Sequence, residues 1–143
     1  MKLSRIILGE ALQYDPGFDK QVEKLKDQGG TYLGSGDYGS AFLLDGKVHK
    51  VTTDEVELEH ASILKGKKTN NFAYIYDVTI LEPKLGIVVM EVLGEYKGEI
   101  PEEFVQAAEA EAERLGIDPD ELDFVGDNVM KHPRTGKLKM IDV

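Results

Sequence analysis

The sequence predicts an α+β fold: a five-stranded antiparallel sheet with one inserted helix, followed by a much reduced C-terminal lobe. Three observations carry this. Short segments rich in β-branched and aromatic residues recur between Thr31 and Met90, and Asp45-Gly46 is a strong two-residue hairpin signal among them. A single capped helical segment, opening at Asp54, interrupts these strands. Beyond Pro101 come one helical stripe and one last hairpin. At 143 residues and 41% apolar, the chain has the length and composition of a single domain, residues 1–143.

Residues 1–30 read as a helical extension, with Val22 and Leu25 among Lys and Glu, a break at Pro16-Gly17 and an end at Gln28-Gly29-Gly30. The first lobe is placed at 31–93. Thr31-Tyr32-Leu33 is its first strand and Gly34 to Gly39 a glycine-rich connection. Ala41 to Leu44 and Lys47 to Val51 follow as the second and third strands. Asp54 is an N-cap with Glu57 as capping-box partner, and the helix behind it carries Val56, Ala61 and Leu64. Lys65, Lys67 and Lys68 surround its end at Gly66, where cations suit the helix dipole. Phe72 to Leu81 is the fourth strand. Leu85-Gly86 turns into Ile87 to Met90, the fifth, whose apolar run predicts burial on both faces. Residues 94–100 form a linker. The second lobe, 101–143, starts with Pro101 in the first turn of a helix. Phe104, Ala108, Ala112 and Leu115 make its buried stripe, and Glu102, Glu103, Glu109 and Glu113 its wet side, before Gly116 closes it. A loop from Leu122 to Asn128 leads to a hairpin of Val129-Met130 and Leu138 to Ile141.

Composition removes several function classes. With 17 Lys+Arg against 27 Asp+Glu the formal charge is −10, so general electrostatic binding to nucleic acid is not expected. The absence of Cys excludes disulfides, thiolate metal sites and a Cys nucleophile. No apolar run approaches the ~20 residues of a membrane span. Met1 to Leu12 is too short and polar for a signal peptide. A cytoplasmic protein, bacterial or phage by its economy of length, is the expectation.

Two stretches carry chemistry. Gly34, Gly36 and Gly39 match G-x-G-x-x-G, but between two strands rather than ahead of a helix, which argues against the dinucleotide fingerprint. Such a hairpin can lie over a nucleotide and offer backbone N–H groups to phosphates, or simply be a flexible turn. Lys50, on the strand pairing with this hairpin, can reach the phosphates as a point charge or be a plain surface Lys. Glu57 or Glu59 on the following helix can hold it, although Glu57 can equally serve only as a cap and Glu59 only as a solvated charge. In the second stretch, Asp123 and Asn128 lie five apart on one loop, and Asp142 ends an apolar strand. The oxygens of Asn128 and Asp142 are hard ligands of the kind Mg²⁺ takes. An Asx-rich turn is the plainer explanation, and Asp127, in the same loop, has no assigned role.

In order and in element, these residues resemble the protein-kinase-like fold over roughly 30–143. The resemblance implies that Gly34, Gly36 and Gly39 cover ATP phosphates, and that Lys50 pairs with Glu57 or Glu59 while binding the α/β-phosphates. It implies that the backbone of Glu91 and Leu93 meets the adenine beside a gatekeeper at Met90. Asp123 becomes the catalytic Asp that orients or deprotonates a hydroxyl, and Asn128 and Asp142 hold Mg²⁺. The departures are equally specific. Glu121-Leu122 stands where the family has His-Arg, and Asp142 is followed by Val143 without the family's Phe-Gly, activation segment or large helical lobe.

Three functions follow as expectations. The first is a minimal ATP/Mg-dependent phosphotransferase acting on a hydroxyl of a protein or of itself. The second is a non-catalytic, nucleotide-binding pseudokinase that regulates a partner. The third is an acidic nucleic-acid-mimic decoy acting through the Glu-rich face between Pro101 and Leu115. A reduced second lobe also predicts a protein partner or self-association covering it.

Overall fold

Residues 16–141 are described in the structure, a computed structural model. Helix α1 spans Pro16–Asp27. Three strands follow, β1 (Thr31–Ser35), β2 (Gly39–Leu44) and β3 (Lys47–Thr52). Helix α2 (Glu55–Leu64) precedes β4 (Ile75–Glu82) and β5 (Leu85–Met90). Helix α3 (Glu102–Leu115) leads through two short 3₁₀ turns, Pro119–Glu121 and Gly126–Asn128, to β6 (Val129–Lys131) and β7 (Leu138–Met140).

Local chemistry accounts for the joints. Asp45 and Gly46 take φ of 55° and 75°, the left-handed pair that a two-residue hairpin twist demands. The Asp54 carboxylate accepts from the N–H groups of Val56 and Glu57 at 3.0 and 3.4 Å, capping α2. The Gly116 N–H bonds back to the carbonyls of Ala112 and Glu113 and closes α3.

The five long strands form one antiparallel sheet in the order β1-β2-β3-β5-β4. Its register sets Ala41, Lys50 and Val88 directly opposite one another on adjacent strands, and likewise Leu43, Val48 and Met90. Residues so paired share a face. Alternation therefore splits the sheet into two working sides. On one side Phe42, Val51 and Leu85 pack with Phe18, Val22 and Leu25 of α1. On the other, Val88 and Met90 join Leu58, Ala61 and Leu64 of α2. That second cluster continues through Phe72 into Ala108, Ala112, Ile117, Leu122 and Met140, so one apolar core links the sheet to the later elements.

Pro16-Gly17 opens α1, as suits Pro in a first turn; the helical piece expected before it falls in residues 1–15, outside the described residues. Several expectations are corrected. The glycine-rich connection is shorter than expected, because β1 runs on through Gly34 to Ser35 with a bulge near Tyr32. Phe72 is not in the fourth strand. It is fully buried and forms a lone parallel bridge with Met140, held by Ala73 N–H to Met140 O at 2.8 Å. The β4–β5 turn is Pro83-Lys84, not Leu85-Gly86. In β5, Val88 and Met90 are buried but Ile87 and Val89 only partly, since α1 covers the outer face incompletely. Val56 is 41% exposed, and α2 instead buries Glu57 and His60 beside Leu58, Ala61 and Leu64. Pro101 is the N-cap of α3 rather than its first residue.

The buried stripe of α3 holds one carboxylate, Glu111, three residues after Ala108 and one before Ala112. Glu111 is 7% exposed and accepts from the backbone N–H of Asn70 and Asn71 and from Asn71 Nδ2, at 3.0, 2.8 and 3.0 Å. It thereby fixes the chain just before Phe72. Glu111→Ala strands these donors, and a loss of about 3 kcal/mol in urea-unfolding stability is expected.

Candidate functional site

A cleft of about 630 Å³ opens between the sheet face carrying Lys50, the segment after β5 and the turn preceding β6. Leu33, Val48, Met90, Leu93, Met130 and Ile141 give it apolar walls. Gly34, Gly36 and Gly39 border it, and Lys50, Glu57, Glu91, Asp127 and Asn128 bring polar groups to it.

The glycine hairpin is a tight one. Gly36 N–H donates to the Gly39 carbonyl at 2.9 Å, and the Tyr38 carbonyl accepts from Thr53 N–H at 2.8 Å, which ties the tip to the end of β3. Across its base a hydroxyl chain runs from Tyr32 to Ser35 to Ser40, both links 2.7 Å. The hairpin's backbone is therefore held in one register while Gly34 and Gly36 keep open space beside their α-carbons.

Lys50 Nζ meets Glu57 Oε2 at 2.7 Å, with side-chain exposures of 19% and 4%. Glu57 Oε1 accepts from Thr52 Oγ1 at 2.8 Å, a supporting contact that sequence reasoning missed. Strand alternation supplies the reason: Lys50 and Thr52 share a face, and the first turn of α2 lowers Glu57 onto both. The expected capping box does not form. The Glu57 carboxylate turns to Lys50 and Thr52, and the Asp54 N–H donates instead to Thr52 Oγ1 at 3.1 Å. Glu59 faces elsewhere. It is exposed and borders a separate groove with Glu55, Ser62 and Ile80.

Met90, Glu91 and Leu93 follow one another along the cleft wall. The Glu91 side chain accepts from Tyr74 N–H at 2.7 Å and lies 3.8 Å from His132 Nε2. Among the described residues the backbone of Leu93 makes no hydrogen bond.

Opposite, Asn128 Nδ2 donates to the Asp123 carbonyl at 3.0 Å and closes the loop between them. This orients the amide so that its Oδ1 remains a hard oxygen donor. The Asp123 side chain is exposed and does not line the cleft, whereas Asp127 does. Asp142 lies outside the described residues. Among the described residues no three His, Cys, Asp or Glu side chains are grouped to hold a metal by themselves. The donors present fit an ion that takes one or two protein oxygens and fills its other positions from phosphate and water, as Mg²⁺ does.

Fold and cleft together define a class, the kinase-like fold: the five-stranded antiparallel sheet with its inserted helix and a small second part. Solved structures agree. Rad53 1-466 in complex with AMP-PNP is similar with a TM-score of 0.56 at 13% identity, over 79% of this chain and 38% of that one. The PknI kinase domain of Mycobacterium tuberculosis is similar with a TM-score of 0.53 at 12% identity, over 78% of this chain and 57% of that one. A point mutant of the same PknI domain gives the same score and coverage at 13% identity. The chain thus spans well under two thirds of the length of these structures. No family's sequence pattern and no curated relative match it. No helix among the described residues is long and apolar enough to cross a membrane.

Proposed function

We propose that the chain is an ATP- and Mg²⁺-dependent phosphotransferase that passes the γ-phosphate to a hydroxyl of a protein or of itself. The observation that supports this most is the Lys50–Glu57 pair at 2.7 Å, set in the cleft beneath the glycine hairpin. A desolvated ammonium held by a buried carboxylate is a fixed positive charge, suited to phosphate oxygens. The apolar slot between Val48, Met90 and Leu93 suits a flat purine, with the Leu93 backbone groups available to its edge. The AMP-PNP carried by Rad53, on the same fold, is in keeping with a nucleotide here. Gly34, Gly36 and Gly39 would cover the phosphates, and Asn128 with Asp142 would hold the ion. Bound Mg²⁺ would neutralise phosphate charge. In the transfer, the acceptor oxygen bonds to the γ-phosphorus, the bond to the β,γ-bridging oxygen breaks, ADP departs with that electron pair, and Asp123 takes the acceptor proton. The protein would be cytoplasmic and act as one domain, with a partner or a second copy over its smaller lobe.

A specific observation favours a second reading, a nucleotide-binding module that turns nothing over. The Asp123 carboxylate stands outside the cleft lining. Calorimetric titration with Mg·ATP analogue and an ADP-release assay on the wild type and Asp123→Asn separate the two. Catalysis predicts unchanged binding in Asp123→Asn with turnover reduced at least ~100-fold. Binding without turnover in either protein supports the module, and absence of binding removes both.

A further inference from the structure

His60 is a buried polar group with no part in the proposed chemistry. It lies on α2, three residues after Glu57, so both side chains leave neighbouring positions of one helical surface. The ring is 1% exposed, with Nε2 3.1 Å from Oε1 of Glu121. Its Nδ1 is buried with no hydrogen-bond partner among the described residues. Glu121 ends the 3₁₀ turn that delivers the chain to Leu122 and Asp123. At this contact Nε2–H donates to the Glu121 carboxylate, so the ring's second nitrogen is left unmatched in the interior. A buried polar atom of this kind is a net cost to folding. A leucine at position 60 would fill similar space without it. The histidine is thus a poor choice for packing and a good one for tying α2 to a defined point on the loop ahead of Asp123.

We propose that His60 and Glu121 are a positioning pair, which sets the rotation of α2 and so keeps Glu57 on Lys50 while referencing it to the Asp123 loop. Because α2 is a short rigid rod, a turn that broke the His60 contact would also swing Glu57 away from Lys50. This inference rests on the nucleotide reading for its purpose but not for its geometry.

The test therefore has a nucleotide-free arm. Competitive acetylation of the lysines, read by mass spectrometry, reports how firmly Lys50 is held, with Lys84 as an internal reference. In Glu121→Ala and in His60→Leu, Lys50 labelling is expected to rise about fivefold relative to Lys84. Glu121→Gln, which keeps an acceptor for Nε2–H, should restore the wild-type ratio. His60→Leu should melt no lower than wild type, so that its effect on Lys50 is separated from loss of structure. In the second arm, Mg·ATP-analogue affinity should fall about fivefold in Glu121→Ala and recover in Glu121→Gln. An unchanged Lys50 ratio in both variants overturns the proposal, as does a uniform rise over all lysines with a lowered melting temperature. If wild type fails to bind the analogue, the nucleotide reading falls, and the labelling arm still decides the pair.

Discussion

Lys50→Ala is expected to reduce Mg·ATP-analogue affinity at least ~30-fold, the effect of about 2 kcal/mol at a desolvated charge contact. It is also expected to lower stability by about 3 kcal/mol, because Glu57 would be left buried without the ammonium that now faces it. The two losses have different causes and separate in the double variant. Lys50→Met combined with Glu57→Leu removes both charges at similar volume, and most of the stability should return, since a buried ion pair and an apolar pair of similar volume are often nearly equivalent. Affinity should not return, since the ammonium is what meets the phosphates. Urea unfolding and calorimetry on the three proteins measure both quantities. Undiminished affinity in Lys50→Ala would end the site assignment.

The glycine motif should divide sharply when each member is changed to Ala. A Cβ on Gly39 would lie 2.5 Å from the Val51 carbonyl oxygen and 3.3 Å from Thr52 Cα, both in the backbone of β3. Strand β2 would have to lift from β3 next to Lys50, and a cost of about 3 kcal/mol is expected. At Gly34 and Gly36 a Cβ meets none of the described residues within 4 Å, so Ala there should cost no more than about 0.5 kcal/mol. If those two glycines cover phosphates, Gly34→Ala and Gly36→Ala should nonetheless weaken Mg·ATP-analogue binding. Melting curves and calorimetry on the three variants test this, and equal melting temperatures across the set would contradict it.

Much of the fold was legible because its signals are local. The Asp45-Gly46 turn and the Asp54 cap depend on the conformational preferences of a few adjacent residues, and the structure places both as expected. Strand ends were less legible. Phe72 reads as a strand residue because it is apolar and aromatic, yet its backbone pairs with Met140, far along the chain. Val56 matches a helical stripe, but the face of α2 that turns inward is decided by the sheet beneath it and by the Lys50 contact.

Taken alone, the sequence determined the order of the elements and the kinds of side chain available for chemistry, since turns, caps and hydrophobic period act over a few residues. It left open whether Glu57 or Glu59 faces Lys50, and gave no sign of the contacts made by Thr52, Glu111, His60 and Glu121. Those were decided only by tertiary structure. Each joins groups distant in the chain or on different elements, and a carboxylate's partner depends on which surface the packed helix presents, a choice made by the whole core at once.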